Sequence, residues 1–281
     1  MDPVTEIQTG LAIYAAFKIS EKQISKLLGP TSDYLGNSLK LWTEKGLKNI
    51  SSIFQSAINK LGRKIDNNGG VPAKVLKIII NEGAFCEDAL QAEYFGGILA
   101  SSRSDISRDD RGVYFASLVS RMSSYQIRTH YILYHTLKNS FNGQEIPFEN
   151  GIEMSMRRVS VYISADGYIK AMDFNQKEIE IIDSLIGHIF FGLQKENLVH
   201  TFYTELKESL RIGKDSTLDP GILFLPSPLG IELFLWAYGF NDLALSGFLK
   251  GDIIFESYND IKINGYCKSD SDPNSWAYSK Y

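Results

Sequence analysis

The sequence predicts a mainly α protein, an N-terminal multi-helix bundle followed by a smaller α+β, winged-helix-like module. Three observations carry this. Apolar residues recur at helical spacing through most of the first 145 positions. The segment Arg158-Val159-Ser160-Val161-Tyr162-Ile163 then alternates as a strand does. After it come helical spacing, two β-rich runs and a helix opened by Pro228, an order that matches a winged helix. This divides the chain into a helical domain over 1–145, a winged-helix-like module over 146–268 and a polar tail over 269–281.

Ile13, Phe17, Ile24, Leu27 and Leu28 mark a first amphipathic region, stopped by Gly29-Pro30. From Leu35 one stripe continues through Leu39, Trp42, Ile50, Phe54, Ile58, Leu61 and Ile65, interrupted by Gly36, Gly46 and Gly62. Its polar face mixes acids and bases, which favours packing in a core over lying on a membrane. Asn67-Asn68-Gly69-Gly70 breaks the chain, and Pro72 opens a short helix with Val75, Leu76, Ile78, Ile79 and Ile80. A third helix is expected from Ala84 to about Ser102, with Gly96-Gly97 admitting a second backbone and Glu87, Asp88 and Glu93 facing water.

The stretch Arg103 to Gly112 is the most densely charged and joins two helices. Asp109 or Asp110 is expected to cap the second of them, which carries Phe115, Leu118, Val119 and Met122. Ser123 to Gln126 fits a capping box, in which serine and glutamine each satisfy a free amide. In the module, Asp166-Gly167 reads as a turn and 176–195 as one helix through Ile179, Ile182, Ile186, Phe190 and Leu193. The runs 198–203 and 221–225 read as two paired strands.

Composition narrows the function classes. At 281 residues the chain is long enough for two domains, and 44% hydrophobic with 22% charged residues is ordinary for a globular protein. The formal net charge of -4 lacks the basic footprint of a nucleic-acid binder. Cys86 and Cys267 are far apart and read as reduced thiols. No basic stretch precedes an apolar one at the N-terminus, and no apolar run reaches the roughly 20 residues of a membrane helix. These features predict a cytoplasmic chain.

No glycine-rich phosphate loop, nucleophile elbow, zinc-protease helix or Cys-x-x-Cys is present, so the reading leans away from an enzyme and assigns no catalytic residue, metal or cofactor. His130 and His135 are five apart, off the spacing that shares a helix face, and His188 reads as a packed histidine. The sharpest local signal is Arg103, Arg108, Asp109, Asp110 and Arg111, joined in the following helices by Arg121 and Arg128. Arginine forks match anions bidentately, so Arg103, Arg108, Asp109, Asp110, Arg111, Arg128 and His130 form the candidate anion or partner site. Against this stand a solvated connection held by its own ion pairs and a nuclease-like carboxylate site for a metal. In the winged-helix reading, Ser184 to Glu196 is the recognition segment, with only His188, Gln194 and Lys195 suited to reading bases. That composition favours core or protein contact.

Several long strings resemble one family. They are Leu-Leu-Gly-Pro-Thr-Ser-Asp-Tyr-Leu-Gly (Leu27 to Gly36), Asn-Glu-Gly-Ala-Phe-Cys-Glu-Asp (Asn81 to Asp88) and Glu-Tyr-Phe-Gly-Gly-Ile-Leu-Ala-Ser-Ser-Arg-Ser (Glu93 to Ser104). Arg-Asp-Asp-Arg-Gly (Arg108 to Gly112), Gln-Ile-Arg-Thr-His-Tyr (Gln126 to Tyr131) and Pro-Ser-Pro-Leu-Gly-Ile-Glu-Leu-Phe-Leu-Trp-Ala (Pro226 to Ala237) complete the set. Together they resemble the bacterial abortive-infection alpha (Abi-alpha) family, from about Leu27 to Gly239. The resemblance implies a cytoplasmic role in defence against bacteriophage and brings no catalytic residues with it. On that footing the chain is expected to sense or bind a protein partner, of phage or host, and to be able to oligomerise. Two other readings stand beside it: an effector that inserts the stripe Leu35 to Ile65 into a membrane, and a DNA-binding regulator using the winged-helix-like part.

Overall fold

The structure is a computed structural model and describes residues 20–29, 44–144, 146, 148, 159–205, 220–251, 265–269 and 276–279. The run Leu11 to Phe17, together with Leu35, Leu39 and Trp42, lies outside them, as does the Cys267 side chain. Among the described residues the chain is mainly helical with one antiparallel sheet. It splits into two compact units. The first is Met1–Met122 with Leu235–Asn241, and the second is Ser123–Phe234 with Asp242–Tyr281. The boundary therefore falls at 122/123 rather than 145/146. The helix expected to close the helical domain belongs to the α+β unit, and seven late residues return to the helical one.

The first unit is built from α1 (Glu21–Leu28), α2 (Glu44–Leu61), α3 (Ala73–Gly83), α4 (Ala89–Ser101) and α5 (Gly112–Arg121). Ser20 and Gln23 form a capping box on α1, and Gly29, at φ 60°, ends it. The amphipathic stripe of α2 puts Ile50, Ile53, Phe54, Ala57 and Ile58 in the core, where it packs on α4. That apolar face is consumed inside the unit. No described helix is long and apolar enough to cross a membrane.

Helix α4 starts later than expected because Asp88 caps it, accepting hydrogen bonds from the amides of Leu90 (2.7 Å) and Gln91 (3.2 Å). Glu93, expected in water, is half-buried and accepts from Ser56 Oγ at 2.7 Å and from Lys60. From Tyr94 to Ser101 α4 is buried on every side. Gly97 permits this: a β-carbon there would lie 2.7 Å from the Ala237 Cα and closer still to its carbonyl. Ser101 Oγ donates to the Trp236 carbonyl at 2.9 Å, and Phe115 stacks on Trp236 with centroids 4.6 Å apart.

The second unit opens with α6 (Ser124–Ser140), then β1 (Val159–Ser164), α7 (Ala165–Met172), α8 (Gln176–Glu180), α9 (Ile182–Lys195), β2 (Val199–Glu205), β3 (Gly221–Pro226) and α10 (Pro228–Ala237), whose last residues belong to the first unit. Strands β4 (Gly265–Ser269) and β5 (Trp276–Ser279) follow. The sheet order is β2-β3-β1-β4-β5, all antiparallel, with Tyr162 opposite Leu223 on one side and Tyr266 on the other. From α6 to β3 the order is helix, strand, helices, strand, strand, which is winged-helix-like topology. The β4–β5 pair extends the sheet on the β1 side.

Four further details differ from the sequence reading. Asp166-Gly167 lies inside α7, because Ser164 caps a helix there by accepting from the Gly167 amide. The helix expected over 176–195 breaks at Ile181 into α8 and α9. Neither Asp109 nor Asp110 caps α5, whose N-cap position is Arg111 with no side-chain cap. Trp276–Ser279, placed in a polar tail, pairs with β4 as the outer strand.

The interior of this unit is a polar network within an apolar shell. Tyr134 Oη donates to the Leu198 carbonyl and accepts from the Ser227 amide at 3.1 Å. Ser227 Oγ donates to the Asn197 carbonyl at 2.6 Å and accepts from the Gly230 amide at 3.0 Å, capping α10. A β-carbon at Gly230 would collide with the Tyr134 phenol. Pro-Ser-Pro-Leu-Gly is therefore the keystone where α6, the end of α9 and the start of α10 meet.

Candidate functional site

The structure distributes the seven candidate residues over both units. Arg103, Arg108, Asp109, Asp110 and Arg111 belong to the first, Arg128 and His130 to the second.

Arg103 is half-buried and spends its guanidinium on backbone. Nε donates to the Lys26 carbonyl at 2.9 Å, Nη1 to Lys64 at 3.2 Å, and Nη2 to Ile65 at 3.2 Å and to Asn67. The fork ties the end of α1 to the turn after α2 through backbone carbonyls of both. Burial lowers its pKa from the ordinary value, with Asp66 opposing.

Asp109 and Arg111 face each other, Nε to Oδ1 at 2.8 Å and Nη2 to Oδ2 at 2.9 Å. This bidentate pair holds the Asp109 carboxyl below its usual pKa, mainly through the Arg111 hydrogen bonds. The Arg111 guanidinium also sits 5.4 Å from the centre of the Trp236 ring. Asp110 and Lys74 are both exposed and 3.9 Å apart, and Arg108 is exposed. The connection is held by its own charges, and its arginine fork faces a protein carboxylate.

In the second unit, Arg128 Nε donates to the Ala171 carbonyl at 2.8 Å. His130 is fully buried; its Nε2 donates to the Gly230 carbonyl at 3.0 Å, and its ring lies 4.6 Å from Tyr134. Burial pushes its pKa down to about 3, so the imidazole is neutral. Both residues brace the fold. Among the described residues, no group of three His, Cys, Asp or Glu side chains is placed to hold a metal ion.

The surface that stands out is α9, in the position a winged helix uses for recognition. Ile182, Ile186, Ile189, Phe190 and Leu193 point inward, with Phe190 5.1 Å from Phe202 and 6.1 Å from Tyr168. The exposed residues are Asp183, Ser184, His188, Phe191, Gln194 and Lys195, with Gly187 half-exposed among them. Phe191 is 66% exposed, too much for a residue that serves only the core. Tyr203, on edge strand β2, is 76% exposed.

His188, expected to be packed, is instead exposed, and its Nε2 lies 3.1 Å from Ser123 Oγ, the cap of α6. Gln126 Nε2 donates to the His188 carbonyl at 3.3 Å, which fixes α9 against α6. On this helix the sequence singles out His188, Gln194 and Lys195 but not Asp183 or Phe191. The signal for Phe191 was the doublet Phe190-Phe191: with Ile186, Phe190 and Leu193 on one stripe, the second ring must face away.

No family model, curated protein or solved structure matches this chain.

Proposed function

We propose that this chain is a bacterial phage-defence protein of the abortive-infection kind, acting by holding a protein partner on the outward face of α9. The defence role rests on the resemblance of several strings to the Abi-alpha family. The mode of action rests on one observation, the composition of the α9 face. A helix that reads a base-pair edge needs arginine, asparagine, glutamine or lysine at several outward positions, flanked by basic residues for phosphate. Here the centre is an exposed phenylalanine, the N-terminal end is Asp183, and no arginine is present. Aromatic anchors in a mixed-charge surround are the composition of a protein interface.

The strings that carry the resemblance include residues that build the scaffold. Gly97, Ser101 and Trp236 pack together, as do His130, Ser227 and Gly230. The test is an infection assay with pull-down on the full chain, wild type against Phe191→Asp. The variant is expected to stay folded and to lose both protection and its captured protein. Undiminished protection by Phe191→Asp would refute the reading. Retention on DNA that weakens steeply with salt would favour a nucleic-acid role instead.

A further inference from the structure

We infer that Asn68 is a site of spontaneous deamidation, where loss of the side-chain amide lengthens the backbone between two anchored points of the first unit. Four Asn-Gly pairs occur in the chain, beginning at Asn68, Asn142, Asn150 and Asn264. A glycine after asparagine favours this chemistry because no β-carbon shields the attacking nitrogen. Asn150 and Asn264 lie outside the described residues. The local geometry separates the other two.

The reaction is internal. The Gly69 nitrogen, having lost its proton to hydroxide, attacks Asn68 Cγ. The new N–C bond closes a five-membered succinimide, the Cγ–Nδ2 bond breaks, and the amide leaves as ammonia with a proton from water. Water then opens the ring on either side. Cleavage at Cγ gives aspartate with the original backbone. Cleavage at the main-chain carbonyl gives isoaspartate, whose backbone runs through Cβ and Cγ and is longer by a carbon.

Both Asn68 and Asn142 are exposed, so exposure does not distinguish them. Hydrogen bonding does. Neither the Asn68 side chain, its carbonyl nor the Gly69 amide makes a hydrogen bond among the described residues. The plane of the peptide between them is therefore free to turn, which changes only ψ of Asn68 and φ of Gly69, and glycine accepts either sign of φ. At Asn142 the same plane is fixed. The Gly143 amide donates to the Leu249 carbonyl at 2.7 Å, and the Gln144 amide closes a turn around the pair on the Phe141 carbonyl at 2.9 Å. That glycine nitrogen is aimed at an acceptor rather than at its neighbour's Cγ.

The fold demands the glycine and leaves no room for the longer product. Gly69 has φ 149°, and a β-carbon there would lie 3.1 Å from the Ser104 carbonyl carbon and oxygen. Its carbonyl rests against Gly29, where a β-carbon would lie 2.9 Å from it. Ahead of the pair, Arg103 holds the Asn67 carbonyl. Behind it, Gly70 and Ser104 exchange bonds of 3.0 and 3.1 Å, and the Val71 amide donates to Leu28 at 3.2 Å. An added backbone carbon must break one of these anchors. Aspartate is accommodated, because Lys26, with Lys22 and Arg103, already favours the ionised carboxyl of Asp66 two residues away. Isoaspartate at 68 thus loosens the joint between the end of α1 and the α4–α5 connection, and aspartate does not.

The experiment follows isoaspartate in the full chain by peptide mapping at mildly alkaline pH, with protein isoaspartate methyltransferase as the probe, in native and urea-unfolded samples. In urea the two pairs should react alike, since each is Asn-Gly. In the native sample Asn68 should react about tenfold or more faster than Asn142, whose glycine amide must first give up its bond. Aged native chain should show a second, less stable population in thermal unfolding, enriched in isoaspartate at 68. Asn68→Ser should not develop it, and fresh Asn68→Asp should unfold like unaged wild type. A native rate at Asn68 no higher than at Asn142 overturns the inference, as does isoaspartate at 68 with unfolding unchanged. Should Asn68→Ser fold poorly, the comparison of native with unfolded wild type still decides it.

Discussion

Substituting Gly97 with alanine isolates one methyl group placed between two backbones. An added β-carbon lies 2.7 Å from the Ala237 Cα, whereas carbon atoms in ordinary contact sit about 3.5 Å apart. The two segments must therefore part by about 0.8 Å, in a region buried on every side, and further still to clear the carbonyl. Over-packing of this kind costs about 3 kcal/mol, and replacing a helical glycine by alanine returns about 1 kcal/mol, leaving a loss of about 2 kcal/mol. Gly192→Ala in α9 is the matched control. Its new methyl meets the end of the Gln126 side chain, which swings aside and gives up its bonds to the His188 carbonyl at 3.3 Å and from the Ser123 amide at 2.9 Å. That costs about 2 kcal/mol, of which the helix gain offsets about half. Thermal unfolding followed by circular dichroism should place Gly97→Ala about 4–8 °C below wild type, with Gly192→Ala about half as far below it. Because the overlap involves Ala237 backbone, Ala237→Gly should not rescue Gly97→Ala. A Gly97→Ala protein as stable as wild type, or one restored by Ala237→Gly, would refute the packing argument.

Other outcomes follow from the same structure. Burial pushes the pKa of His130 down to about 3 and of His135 to about 4, so the unfolded chain takes up these protons first as pH falls below about 6.5. Stability should be level above neutrality and fall by about 2 kcal/mol per histidine by pH 5, read by urea unfolding at pH 7.5 and 5; equal midpoints would contradict the burial. Arg103→Lys should destabilise the first unit by about 2 kcal/mol, because one ammonium cannot reach carbonyls served by three nitrogens of a fork; thermal unfolding indistinguishable from wild type would show the fork is dispensable. Asp109→Asn should cost no more than about 1 kcal/mol, since Arg111 is half-exposed, and Arg108→Ala should leave protection intact in an infection assay. Ser227→Ala removes a cap and the interior bond to the Asn197 carbonyl and should cost about 2 kcal/mol by chemical denaturation; a loss within error of zero would exclude the keystone role.

How much of this was legible in the sequence depends on the range over which each signal acts. The Ile50 to Leu61 part of the α2 stripe, the α3 helix, the Ser123 capping box and the β2–β3 pair are local patterns, and the chain follows them, whereas Ile65 falls in a separate 3-10 turn, Gly62–Asp66. The break at Ile181 was not visible, because Ile179, Ile182 and Ile186 keep helical spacing across it while the Asn175 capping box starts a separate short helix. Asp109 was misread as a cap because its competitor, Arg111, stands two residues away and binds both carboxylate oxygens. The candidate site dissolved for a longer-range reason. Arg103, Arg128 and His130 each take a backbone carbonyl remote in sequence as partner, and no spacing rule reports which carbonyls a fold will leave open. The unit boundary was missed because apolar periodicity assigns α6 to a helical class without saying which elements it packs on.

Helix α10 has a consequence for how the chain is made. Trp236 and Ala237 complete the first unit, yet Ser101, which holds the Trp236 carbonyl, precedes it by 135 residues. On a ribosome, the glycine face of α4 emerges long before the backbone it accommodates. The helical unit must wait, partly assembled, while the strands of its neighbour are synthesised. A fragment ending at Met122 would carry an unfilled slot beside Phe115 and Gly97, and one beginning at Ser123 would carry an orphaned tryptophan. Nascent-chain length, rather than the order of the helices, sets the moment at which this protein becomes native.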